Sequence, residues 1–324
     1  MGVDRPEEAD VPSDGHADHR DGQGGGGGGG RAGRSGEGPA EDRPRQEYYA
    51  ELRVAVSAEQ TVTAQQAAAR EQAAAQKWDG TEKESRWMWT EYERRWPPEE
   101  RPAVDRPADP GSWRGEGDSS LDRAANGRVE AECDRVAERE QETISPALLA
   151  VESQDPDRHL IGFEDRLKGR DRIKEKVCGT IKDFNRSPEQ AVSLVPDVIR
   201  YTFQYQEARY TQGVLADIAR LKDQGFGLDK LKNSWSDEQY KGINSQWIEP
   251  DTGQRFEVQF HTRISFEAKQ LTHTAYELLR TTPKPDKFEQ MVLEAFQRKV
   301  TGEVPVPPGA ADIPDYQERG SDAR

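Results

Sequence analysis

The stretch YKGINSQWIEPDTGQRFEVQFHT, residues 240–262, predicts two strands joined by a tight turn at residues 251–253. Successive side chains of a strand point to opposite faces, so the second strand separates into an apolar face with Phe256, Val258 and Phe260 and a polar face with Glu257, Gln259 and His261. The apolar face is typical of a core. The polar face is either the wet outside of an edge hairpin or the lining of a functional site.

The composition limits what the whole chain can be. It has 324 residues, of which 33% are hydrophobic, and a mean hydropathy of -1.01, which is too polar for one continuous globule. Part of the chain is therefore expected to be disordered. The net charge of -15 argues against a broad basic surface for nucleic acid or for an anionic membrane, and leaves room for a local basic site.

Cysteine usage and hydropathy indicate a protein of a reducing, aqueous compartment. Cys133 and Cys178 are the two cysteines, and their spacing suggests neither a disulfide framework nor a zinc site. The sequence has no apolar run of the roughly 18 residues that a membrane span needs, and its acidic, glycine-rich start lacks the regions of a signal peptide. We expect a soluble, cytoplasmic protein with no membrane partner.

The sequence divides into five segments by composition. We predict a disordered Gly-rich segment over 1–45, a helical segment with aromatic residues over 46–100, a linker over 101–120, a compact α/β domain over 121–305 and a tail over 306–324. The crowded tryptophan and tyrosine residues at the end of the second segment suit docking onto the domain or onto a partner protein, and also suit stacking on a nucleobase.

The pattern of the compact domain predicts the α/β (α+β) class, with a mixed sheet flanked by helices. Besides the opening hairpin, the predicted elements are a helix over 121–143 that ends near Pro146, a helix within 159–184, a strand over 195–205, and helices over 211–225, 265–280 and 286–299.

A basic segment lies at residues 162–177, GFEDRLKGRDRIKEKV. If it forms one helix, two adjacent cationic rows result, one with Arg166, Arg170 and Lys174 and one with Lys168, Arg172 and Lys176. Such a helix suits a polyphosphate ligand. A solvated face interrupted by acidic residues explains the same spacing.

Carboxylates occur at two strands of the predicted sheet. Asp197 lies at the mouth of the 195–205 strand close to Arg200, and Glu257 lies on the polar face of the hairpin. Mg²⁺ prefers one or two carboxylates together with substrate phosphate oxygens, so a metal-phosphate site and a structural ion pair both remain open. His261 and His273 have no third ligand at a suitable spacing for zinc.

The order of these pieces resembles the RelA/SpoT synthetase family. The matching text is an R-x-K segment, an Asp/Arg strand, a Y-x-G-x-N strand, an E-V-Q-x-x-T strand and a helix with histidine, which together cover residues 145–300. The family includes small alarmone synthetases and growth-inhibiting toxins. The resemblance implies a RelA/SpoT-like fold and transfer of the pyrophosphate of ATP to the 3′-hydroxyl of an acceptor nucleotide, with Mg²⁺ as cofactor.

The resemblance also implies roles for individual residues. Asp197 would bind Mg²⁺, Glu257 would bind metal or accept the hydroxyl proton, and Tyr240 would stack on the acceptor base. The remaining residues of the implied nucleotide site are Arg166, Lys168 and Lys176 for the ATP phosphates, with Arg200, Asn244, Gln259 and His273 from the matching motifs.

The chain departs from the family pattern at three places. Its Asp-to-Arg motif, D-V-I-R, is shorter than the usual D-x-x-G-x-R, Asn244 stands where the family has His, and His261 stands where it has Arg. These differences bear on acceptor choice first and on activity second. The resemblance implies a nucleotide or a tRNA 3′ end as the acceptor. The chain lacks a hydrolase half, and its N-terminal region is a candidate surface for an antitoxin or another partner protein. A catalytically silent nucleotide-binding or interaction module with the same fold is the alternative.

Overall fold

The computed structural model describes residues 64–97, 109, 111–115, 117–280 and 284–317. The segment 1–45, predicted to be disordered, lies outside the described residues.

The centre of the fold is a sheet of six strands in the order β3-β4-β7-β6-β5-β8. The pair β4 and β7 is parallel, and the other neighbours are antiparallel, so the sheet is mixed. The strands of the protein are β1 Trp113–Arg114, β2 Ser120–Leu121, β3 Arg158–Ile161, β4 Arg200–Tyr205, β5 Gly227–Asn233, β6 Ile243–Ile248, β7 Arg255–Thr262 and β8 Tyr316–Gln317.

Helices flank this sheet, which confirms the predicted α/β architecture of a mixed sheet between helices. None of the described helices is long and apolar enough to cross a bilayer. The helices are α1 Ala64–Arg95, α2 Arg123–Arg139, α3 Ser145–Glu152, α4 Arg170–Phe184, α5 Pro188–Ser193, α6 Tyr210–Asp223, α7 Arg263–Arg280 and α8 Lys287–Gly302.

The opening stretch forms the predicted hairpin of β6 and β7. Trp247 pairs with Phe256 in the antiparallel register, and Gly253 turns the chain with a φ of 72°. The strand β7 lies between β4 and β6, not at an edge, and its side chains from Phe256 to Thr262 are all buried. The polar face is therefore packed inside the protein, which excludes the wet edge hairpin.

The first helix of the domain is longer than predicted, because Pro146 does not end it. The chain passes from α2 through a wider, π-type turn at Glu140–Ile144 directly into α3. Pro146 lies in the first turn of α3, directly after the π-type turn. The turn points the buried side chain of Glu140 towards the sheet, where it meets Tyr201.

The basic segment is not a single helix, so the prediction of two continuous cationic rows is wrong. Gly162 has a φ of 60° and breaks the chain direction after β3, and α4 begins only at Arg170. Between them a 3-10 turn at Phe163–Asp165 leads into a short segment beside β4. There the Arg200 N–H donates to the Arg166 carbonyl and the Lys168 N–H donates to the Val198 carbonyl. These long-range backbone bonds replace helical ones.

The C-terminal residues 306–317 belong to the fold, which corrects the prediction of a tail. The strand β8 pairs with β5 in antiparallel register, and Ile313 is buried. The Asn233 amide donates to the carbonyls of Ala310 and Ile313, both at 2.8 Å or less. Sequence alone suggests a tail because this segment is short and rich in proline.

The N-terminal helix α1 packs along α7 and α8. The indole of Trp78 is buried and donates to a carboxylate oxygen of Glu267 at 2.6 Å, and the hydroxyl of Tyr92 donates to Glu289 at 2.6 Å. Part of the predicted 101–120 linker is also ordered, because β1 pairs with β2 and the ribbon lies on α4 through a bond from Trp113 to Asp171.

Candidate active site

Asp197 lies in the turn that leads into β4 and is held by two lysines. Its side chain is 5% exposed. The Lys168 ammonium lies 2.9 Å from one carboxylate oxygen, and the Lys176 ammonium lies 3.0 and 3.1 Å from the two oxygens. The short segment before α4 supplies Lys168, and α4 itself supplies Lys176, so the break in the basic segment is what brings both lysines to one carboxylate.

Glu257 is the second carboxylate of the site. It lies on β7 directly opposite Arg200 of the parallel strand β4, and the Glu257 N–H donates to the Ile199 carbonyl. Burial raises the pKa of Glu257 above its usual value. The positive charge of Arg200 opposes this shift, and the negative charge of Asp197 adds to it. The fold therefore brings Asp197 and Glu257 within electrostatic reach of each other, with Arg200 beside them.

Two buried hydrogen bonds in series link the Glu257 carboxylate to Gln259 and then to Lys269. The amide nitrogen of Gln259 donates to the Glu257 carboxylate, and the amide oxygen of Gln259 accepts a bond of 2.8 Å from the Lys269 ammonium. Lys269 comes from α7 and is 3% exposed. Sequence reasoning selected Gln259 and missed Lys269. The signal for it was a lysine next to Ala268 on the buried side of the predicted helix.

Tyr240 enters a second network at the end of β7. Its hydroxyl donates to the Asn244 amide oxygen at 2.9 Å and lies 2.8 Å from the Nε2 atom of His261. The Nδ1 atom of His261 lies 2.9 Å from the hydroxyl of Ser265. Gly242 allows the His261 ring to lie against the backbone, because a Cβ at residue 242 would lie 2.7 Å from the imidazole.

Burial governs the titration of this second network. It lowers the pKa of His261 well below its usual value, and the charge of Lys269 acts in the same direction. Burial also raises the pKa of Tyr240, with the negative charge of Glu257 as the next cause. Both groups are therefore neutral near pH 7, and the role of Tyr240 in stacking on a base stays a prediction.

Arg166 is held by another acidic residue, Glu140, and His273 lies further along α7. The Arg166 guanidinium forms two bonds to Glu140, of 2.6 and 3.2 Å, and lies over the ring of Phe163. His273 lies on α7 one turn after Lys269 and is half-buried. Their roles towards a nucleotide stay predictions.

The donor set at the acid pair suits a hard divalent cation. In the described part of the chain, no group of three or more His, Cys, Asp or Glu side chains could hold a metal ion by itself. Mg²⁺ needs less from the protein, because it commonly uses one or two carboxylates and takes its other oxygens from water and substrate phosphates. Asp197 and Glu257 provide two carboxylates. His261 does not add a ligand, because both of its imidazole nitrogens are engaged within the protein.

Comparison with known proteins gives structural similarity alone. No protein-family model and no curated protein matches the sequence. The smu.1046c protein of Streptococcus mutans UA159 is 13% identical with a TM-score of 0.36, over 54% of this chain and 90% of that one. Small alarmone synthetase 1 of Bacillus subtilis is 13% identical with a TM-score of 0.35, over 55% of this chain and 91% of that one. Its structure with the product pppGpp gives 11% identity and a TM-score of 0.35, over 55% and 90% of the two chains. Similarities of this size establish neither a family nor an activity for this chain.

Proposed function

We propose that this protein transfers the pyrophosphate of ATP to the 3′-hydroxyl of an acceptor nucleotide. The observation that carries the proposal is a pair of buried carboxylates, Asp197 and Glu257, whose charges act on each other. Lys168 and Lys176 lie at Asp197, and Arg200 lies opposite Glu257 on the neighbouring strand. Transfer of a phosphoryl-type group to a hydroxyl needs alignment and neutralisation of negative charge more than covalent help, and this set of groups suits both needs. The order of motifs that resembles the RelA/SpoT synthetases supports the same reaction.

Asp197 is the residue that would hold Mg²⁺, and Glu257 would either share the ion or take the proton of the acceptor hydroxyl. When bound, the ion would neutralise charge on the phosphate oxygens of ATP. The chain's own cations act on the same charge. Lys168 and Lys176 are ammonium groups on flexible stems, so they can turn from Asp197 to the phosphates when the nucleotide arrives. Arg200, opposite Glu257, would contribute a fixed positive charge.

Glu257 is the group that would take the proton of the 3′-hydroxyl. Its pKa is raised by burial, which moves a carboxylate towards the range in which a general base is effective. The hydroxyl oxygen then forms a bond to the β-phosphorus of ATP. The bond from that phosphorus to the oxygen it shares with the α-phosphate breaks, and AMP leaves with this oxygen.

The test uses the full chain, labelled ATP, Mg²⁺ and one acceptor at a time, from GTP, GDP, ATP and tRNA. We expect one acceptor to gain a labelled pyrophosphate and Glu257→Gln to reduce the rate by about 10²- to 10⁴-fold, the range for loss of a general base. Glu207→Gln is the matched control, because Glu207 is also buried, at 8% exposure, and burial also raises its pKa, but it lies at the start of α6.

The outcomes separate the proposal from its alternative. Transfer that is unaffected by Glu257→Gln would exclude the assigned base, and the absence of labelled product with every acceptor would exclude the reaction. Nucleotide binding without Mg²⁺-dependent turnover would identify a silent binding module. The identity of the labelled product would also decide between a free nucleotide and the 3′ end of tRNA.

A further inference from the structure

We infer that Lys269 is a positioning residue, which fixes the amide of Gln259 and through it the carboxylate of Glu257. The inference rests on the proposed function for what Glu257 does, but its geometry stands without that function. Lys269 belongs to none of the motifs that pointed to the site. Its ammonium reaches Gln259 at 2.8 Å, and the other end of the same amide reaches Glu257.

The chemistry of the three groups permits one orientation of the amide. An ammonium group has donors and no acceptor, so it pairs with the oxygen end of Gln259. A carboxylate accepts, so it pairs with the nitrogen end. Rotating the amide by half a turn would place two donors together on one side and two acceptors together on the other. Lys269 and Glu257 thus select the same orientation from opposite ends.

Burial of the three side chains strengthens the preference for this orientation of the Gln259 amide. Gln259 is 0% exposed, Lys269 is 3% exposed and Glu257 is 7% exposed, so water does not substitute readily for a lost partner. Hydrogen bonds between buried groups are strengthened by the low local dielectric, and a missing partner is correspondingly costly. One side of the Glu257 carboxylate is therefore held by the Gln259 amide.

The fold explains why the lysine reaches this place. The helix α7 begins directly after β7, at Arg263, and the Ser265 hydroxyl accepts from the Thr262 N–H and lies 2.9 Å from His261. These contacts fix the first turn of α7 against the end of β7. Lys269 follows one turn after Ser265 on the same face, which brings its long side chain back over β7 to Gln259.

The experiment compares Lys269→Met, Lys269→Gln and the wild-type full chain. Methionine keeps the apolar stem and removes the donor, whereas glutamine keeps a donor and removes the charge. Lys174→Met is the matched control, because Lys174 is also a buried lysine, 5% exposed, but pairs with Glu130. The first measurement is the NMR signal of the Gln259 side-chain amide, assigned by its absence in Gln259→Glu, without any nucleotide.

We expect the two amide protons of Gln259 to be widely separated in wild type, Lys269→Gln and Lys174→Met, and to collapse towards free-amide positions in Lys269→Met. An unchanged amide signal in Lys269→Met would overturn the inference. If Lys269→Met does not fold, the ammonium signal of Lys269 is followed in Gln259→Met instead. The inference requires that signal to shift, and a signal identical to wild type overturns it.

The second measurement is the rate of pyrophosphate transfer. Loss of a residue that orients a catalytic group typically reduces activity by about 10- to 100-fold. We expect this loss in kcat for Lys269→Met, an unchanged KM for ATP, and partial recovery in Lys269→Gln. A wild-type kcat in Lys269→Met would overturn the inference. If wild type transfers nothing, the proposed function fails, and the amide signal alone still decides the role of Lys269.

Discussion

Two acidic residues of this protein are each held by two cations, and they differ in what surrounds the cations. Asp217 of α6 is 0% exposed and pairs with Arg158, which is 1% exposed, and with Arg220. Three further bonds from Arg158 go to the backbone carbonyls of residues 151, 152 and 155. The hydroxyl of Tyr205 donates a third bond to Asp217. These bonds join Asp217 and Arg158 to the surrounding fold.

Asp197 is nearly as buried, but its cations are different. They are lysines, and the side chain of Lys176 is 37% exposed. An ammonium on a four-carbon stem can exchange one anion for another, whereas a guanidinium bonded on all sides cannot move without breaking several bonds. A buried ion pair therefore indicates a ligand site only when its cations can leave the acidic residue for a ligand or for solvent.

The largest expected effect is on stability, which should fall more when the Asp217 cluster is broken than when the Asp197 cluster is broken. Asp217→Asn leaves the charge of Arg158 buried without its partner, so we expect the free energy of unfolding to fall by about 3–5 kcal/mol. Urea denaturation of the full chain measures this. The control is Asp197→Asn, where Lys176 can turn to solvent and the loss should be smaller. Equal losses in the two variants would show that the Asp197 cluster is also structural.

The next largest effect is on the affinity for ATP, which should depend on the lysines of the Asp197 cluster. Hydrogen bonds to charged groups contribute about 1.5–3 kcal/mol, so Lys168→Met and Lys176→Met should each weaken binding of ATP with Mg²⁺ by about 10- to 100-fold. Titration calorimetry measures the affinity. Arg172→Met is the control, because Arg172 lies one turn before Lys176 on α4 and contacts Glu175. Binding that all three variants weaken alike would indicate general charge attraction and no defined phosphate site.

The smallest effect concerns His261, which lies on the polar face but is enclosed like Asp217. The folded state lowers its pKa well below 6.5, so the unfolded state binds more protons once the pH falls below 6.5. Stability attributable to His261 is therefore complete above pH 6.5 and declines with acid, by at most about 1.4 kcal/mol per pH unit. His261→Gln should reduce the difference in unfolding free energy between pH 7.5 and 5.5. An unchanged difference would contradict enclosure of a neutral imidazole.

Local patterns predicted the elements whose shape is decided locally. The alternation of residues 255–262 and the turn before it gave the hairpin, and helical spacing gave α6, α7 and α8 close to their observed bounds. The acid before β4 and the acid on β7 could be selected because a carboxylate beside or within an apolar strand is unusual. Their proximity follows from the parallel pairing of β4 with β7, which the sequence does not specify.

The remaining features depend on contacts between distant parts of the chain. Residues 166–168 have helical composition, but their backbone bonds to residues 198–200 hold them beside β4. Lys269 looks like one charge of an amphipathic helix, and only the packing of α7 over β7 turns it towards Gln259. Sequence spacing cannot represent such contacts, because they are fixed by the tertiary arrangement.

The strand β8 has a practical consequence for anyone who shortens this protein. It is the outermost strand of the sheet and covers one side of β5. A fragment cut at residue 305 would lose it and unpair the outer edge of β5 at Lys230 and Leu231. An open strand of this kind invites pairing between molecules. Aggregation of such a fragment would therefore say nothing about the chemistry at Asp197 and Glu257, and a fragment that ends after Gln317 would avoid this problem.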